Sequence, residues 1–180
     1  MLERRPPLRG ALRGRERAGI AALPKSEPLI RFIRATTVPI PADVTLTLTL
    51  EQRMRCRLRV LLDDGREAGL FLPRGSVLHH GDCLIAEDGL VAGIIAAPEP
   101  LARVETNDRL LLARACYHLG NRHVPLQIEP GRLSYRADPV LDALLRGLGL
   151  AVTPVQARFE PETGAYGGHG SDQPAHGHEH

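Results

Sequence analysis

The stretch "DPVLDALLRGLG" (Asp138–Gly149) decides how the second half of this chain folds. Asp138 is a helix-capping residue, and Pro139 has the fixed φ that suits a first helical turn. Leu141, Leu144, Leu145 and Leu148 recur at helical spacing and make one apolar stripe. Gly149 supplies the stop. The segment predicts a helix with one face turned to a core.

The neighbouring stretches have other periods. "LAVTPVQARF" after the helix reads as a strand. Before it, "VPLQI" and "RLSY" alternate as strands joined by a turn at Pro130-Gly131. Further upstream, "TNDRLLLARACYHLGN" has a Thr or Asn cap, then Leu111, Ala115 and Leu119 on one face, then Gly120-Asn121 as its end. With a short strand near Leu101 to Val104 the order becomes βαββαβ, the ferredoxin-like split motif.

From Ile30 to about Pro98 the signals are all β. "VTLTLTL" alternates Val44, Leu46, Leu48 and Leu50 against threonines. "RMRCRLRVLL" turns Met54, Cys56, Leu58 and Val60 one way and Arg53, Arg55, Arg57 and Arg59 the other. Asp64-Gly65 is a hairpin signal before "GLFLPRG", and Asp88-Gly89 is another inside "HHGDCLIAEDGLVAGIIA". Short strands joined this way predict a small sandwich or barrel. "APEPLA" (Ala97 to Ala102) reads as a linker. The expected fold is therefore α+β, with a β-rich domain over 29–98 and a ferredoxin-like domain over 99–160. Residues 1–28, rich in proline, glycine and arginine, read as a disordered extension or an anion-binding arm. Residues 161–180 read as a flexible, histidine-rich tail.

Composition excludes several classes. In 180 residues the net charge is only +2, which argues against nucleic-acid binding by charge alone. The 3 cysteines, Cys56, Cys83 and Cys116, form no C-x-x-C pair, so they read as small buried hydrophobes in a reducing compartment. No apolar run approaches the ~20 residues of a membrane span, and the charged N-terminus lacks a secretory h-region. The expected location is the cytoplasm, away from membranes. Enzyme signatures such as G-x-x-x-x-G-K-[ST], G-x-S-x-G and H-E-x-x-H are missing.

Three features remain as candidate chemistry. "HHGD" (His79 to Asp82) is either a solvated turn or a metal or acid–base cluster of a hydrolase. The arginine stripe is either a solvated strand face or a surface for an acidic partner. The tail offers His169, His176, His178 and His180 among glycines. Alternation lets a flexible segment present the last three together, and His169 can fold back. Neutral imidazole suits Ni(II), Zn(II) and Cu(II), and it is mostly unprotonated at neutral pH. Ordering such a tail costs roughly 1–2 kcal/mol per fixed residue, so exchange is fast, which suits a carrier or store.

"YHLGNRHVPLQI" (Tyr117 to Ile128), "DPVLDALLRGLGLAV" (Asp138 to Val152) and "FEPETGAY" (Phe159 to Tyr166), followed by histidines, resemble the urease accessory protein E family. "LPRGSVLHHGDCLIAEDG" resembles its N-terminal domain. The resemblance runs from about Ile30 to the C-terminus. It implies a non-enzymatic nickel metallochaperone, homodimeric through a ferredoxin-like domain. It further implies delivery of Ni(II) to urease apoprotein and an accessory GTPase. The family's residue after the capping Asp is usually a histidine, whose two copies meet across the dimer axis to hold metal. Here it is Pro139, which has no donor atom. His118 and His123, within the matching H-L-G-N-R-H, are expected to cap the helix and brace the loop.

Overall fold

The computed structural model describes residues 29–163. The expected extension over 1–28 and the tail from residue 164 onward lie outside the described residues.

In the first half, β1 (Ile30–Thr36), β2 (Val44–Leu48), β3 (Arg57–Leu61), β4 (Glu67–Phe71), β5 (Cys83–Ala86) and β6 (Val91–Ala96) form one sheet. Their order is β2-β6-β5-β1-β4-β3. The β1–β4 and β2–β6 pairs are parallel, and the other pairs are antiparallel. The two expected hairpins turn at Gly65 and Gly89, with φ of 90° and 92° that glycine adopts without strain. Inward positions on alternate residues, among them Phe32, Leu46, Leu70, Leu84 and Ile94, make a continuous core.

The two outer strands of this sheet meet at Asp63. Its N–H donates to Thr45 O at 3.0 Å. Its carboxylate accepts from Thr45 Oγ1 at 2.6 Å, Thr47 N at 3.1 Å and Thr47 Oγ1 at 2.9 Å. Partial burial would raise this carboxyl, but those hydrogen bonds outweigh it and hold it below its ordinary value. A sheet joined to itself at its edges approaches a barrel and hides strands that would otherwise recruit other chains.

The arginine stripe does not form as expected. Thr49 and Gln52 make a reciprocal capping box, which starts the short helix α1 (Leu50–Arg53) where strand alternation was expected to continue. Leu50 and Arg53 therefore belong to helical turns, and β3 begins only at Arg57. Met54, expected inward, is 59% exposed, whereas Arg53 is buried at 1%. Arg55 pairs with Glu51 at 2.5 Å. Only Arg57 and Arg59 keep the outward strand positions. Arg57 and Arg31 flank the Phe71 ring at 5.8 and 4.3 Å, and Arg59 faces Glu67 at 3.7 Å.

The second half runs β7 (Pro98–Glu105), α2 (Arg109–Gly120), β8 (Gln127–Glu129), β9 (Arg132–Arg136), α3 (Pro139–Gly147) and β10 (Val152–Arg158). Its sheet has the order β10-β7-β9-β8, with every pair antiparallel. Both helices pack on it through Ala115, Leu119 and Leu145, against Val104, Leu133 and Tyr135. The expected linker is strand instead: Ala97 alone separates β6 from β7. Pro98 and Pro100 are tolerated because they pair with β10 only; β9 reaches no further than Leu101. Pro154 likewise lies on the outer strand β10.

Candidate functional site

The His79–Asp82 turn is built by its own backbone and by Gly81 at φ 90°. The Asp82 carboxylate accepts from His79 N at 2.7 Å and is buried at 8%, so it serves the turn itself. His79 Nδ1 lies 3.1 Å from Glu160 Oε2, and His80 N donates to Glu160 Oε1 at 3.3 Å. Both ring nitrogens of His80 are engaged: Nδ1 accepts from Ala96 N at 3.4 Å, and Nε2 lies 2.6 Å from Arg158 Nη1. The turn keeps His80 and Gly81 exposed, in line with a solvated turn, and it also contacts the second half of the chain through Glu160 and Arg158. Asp82 is thus spent on the turn, and His80 and one nitrogen of His79 on contacts with the second half.

Arg53 and Glu160 complete this junction; in the sequence Arg53 was read only as part of the arginine stripe, and Glu160 only within the matching stretch "FEPETGAY". The Arg53 guanidinium donates to Leu78 O at 3.0 Å and Phe159 O at 2.6 Å, and it lies 2.9 Å from Glu160 Oε1. The signal for Arg53 was the T-x-x-Q box just before it, which predicts a helix start.

At the end of α2 the His123 backbone and the Arg122 side chain make the capping bonds that the imidazoles were expected to make. His123 takes a left-handed φ of 56°, and its N–H donates to Gly120 O at 2.9 Å. Arg122 Nη1 caps His118 O at 2.8 Å, while the His118 ring meets Tyr117 edge-on at 5.4 Å. Pro139 is exposed at the first position of α3, after Asp138, which accepts from Val140 N and Leu141 N.

Among the described residues, no three His, Cys, Asp or Glu side chains gather to hold a metal. The three cysteines are free thiols, and burial pushes the Cys116 thiol up, away from the thiolate a metal needs. His169, His176, His178 and His180 lie outside the described residues. No helix among the described residues is long and apolar enough to cross a membrane.

Fold and site together define a two-part α+β protein whose buried charges join its halves. The family model described as UreE urease accessory protein, N-terminal domain, matches residues 28–97, and the corresponding C-terminal domain model matches 99–180. The chain is 56% identical over 124 residues to urease accessory protein UreE of Vibrio parahaemolyticus, covering 69% of this chain and 77% of that one. It is 56% identical over 128 residues to that of Alkalilimnicola ehrlichii, covering 71% and 78%. Against that of Pseudomonas putida it is 62% identical over 111 residues, covering 61% and 69%. This chain belongs to the urease accessory protein UreE family. It is an accessory protein and not an enzyme.

Proposed function

We propose that this protein is a nickel metallochaperone that binds Ni(II) as cargo and delivers it for assembly of the urease active site. One observation carries the reading: a member of this family has half of its 8 histidines in its last twelve residues. His169, His176, His178 and His180 are the proposed ligands. Of the described histidines, His80 has both ring nitrogens engaged, which supports this division of labour at that position. Zn(II) and Cu(II) compete for the same imidazoles, because nitrogen donors alone discriminate weakly among these metals.

The second half is proposed to be a ferredoxin-like domain through which two copies dimerise. Leu110 on α2 and Val140 on α3, 61% and 75% exposed in the single chain, support a surface that a second copy covers. The proposed partners are urease apoprotein and its accessory GTPase, in the cytoplasm. A metal store without a delivery role, using the same tail histidines, is the second reading. Affinity capture of the tagged protein from its native host separates the two. Delivery predicts that urease subunits and the GTPase co-purify in a nickel-dependent manner; a chaperone that captures neither contradicts it.

A further inference from the structure

The two halves have separate cores. One is centred on Phe32, Leu70 and Ile94, the other on Val104, Leu133 and Leu145. Among the described residues, the apolar cluster between them is small: Leu50, Leu101 and Phe159, with Val155 and Ala157 packed against it. The covalent connection is the single residue Ala97. What else crosses the boundary is polar, and its centre is a guanidinium with no solvent exposure.

We propose that Arg53 and Glu160 form a latch that sets the relative orientation of the two halves and the point from which the C-terminal segment leaves. The geometry divides the work. Glu160 N donates to Gln127 Oε1 at 3.0 Å and Glu162 N to Leu126 O at 2.7 Å, so the base of that segment is fastened to the second half. Arg53, from the first half, grips the same base at Phe159 O and Glu160 Oε1. His79 and the His80 amide add contacts to Glu160 from the same side. A second anchor stands nearby: Glu99, buried at 6%, accepts from Leu50 N at 2.6 Å and pairs with Arg136 at 3.1 Å. Charge-assisted bonds are directional, so they fix an angle that a small apolar contact leaves free to slide. The latch is thus a positioning device, independent of which metal the distal histidines carry.

Residual dipolar couplings on the full-length chain test this. In the parent protein, backbone amides of both halves should fit one alignment tensor. Glu160→Gln should keep slow amide exchange in both cores while the two halves require separate tensors. Glu160 is the decisive position because its side chain is 29% exposed and it belongs to neither core. Arg53→Met should have the same effect. Glu160→Gln that still fits a single tensor overturns the latch. So does Glu160→Gln that loses protection in the first core, which would make the pair part of that core's stability.

Discussion

Asp63 shows what a single side chain does at a sheet edge. Its oxygens gather a hydroxyl and an amide–hydroxyl pair from Thr45 and Thr47, and so hold β2 beside the end of β3. Its folded-state carboxyl titrates below the ordinary 3.8. Its stabilising contribution is therefore fully present above that value and is lost as pH falls through the lower, folded-state value. Asp63→Asn should cost about 1 kcal/mol near neutral pH, a figure kept small by solvent screening at this exposed edge. In urea titrations the gap between variant and parent should close as pH falls through the ordinary carboxyl value and then the lower, folded-state one; a gap that does not depend on pH would show that the charge is irrelevant. None of this was visible in the sequence, where Asp63 is simply the residue before an Asp-Gly turn. The turn itself was legible, because Gly65 needs only local chemistry to explain it. Arg53 was misplaced for the converse reason: a local period of two continued through a capping box that ends it.

At the scale of elements, α3 was the most legible. Asp138 caps it, Pro139 opens it, Leu145 reaches full burial, and Gly149 leaves it at φ 89°. Tyr135 then pins it to β9 through a 2.7 Å bond from its hydroxyl to Asp142. Burial, together with that carboxylate, pushes the phenol well above its ordinary range, so it remains a donor. Strand β7 was half legible, since prolines at 98 and 100 resemble a linker until the one-sided pairing with β10 is known. The exposed first turn of α3 also allows a direct test of the proposed dimer. Pro139→His should cost about 1 kcal/mol through the freer unfolded chain, and Asp138 still caps the helix. If two copies meet there, a chain truncated after Tyr166 and carrying Pro139→His should bind one Ni(II) per dimer in sedimentation and calorimetry. No gain over the truncated parent would place the dimer contact elsewhere.

For the whole molecule, the two halves were each readable from periodicity, and the way they join was not. The joint draws on residues 53, 79–80 and 158–160, whose proximity depends on both sheets having formed. The histidine-rich C-terminus is read from composition alone. The choice of nickel rests on the family resemblance, since imidazole chemistry alone leaves zinc and copper open. The most direct test of the metallochaperone account is Ni(II) calorimetry on the full chain and on the chain truncated after Tyr166, at neutral pH and near pH 5. The account predicts that truncation removes most of the bound nickel without altering the fold. It also predicts that binding by the full chain weakens toward pH 5 as the imidazoles protonate. Full stoichiometry in the truncated chain, or an isotherm unchanged by acid, would contradict it.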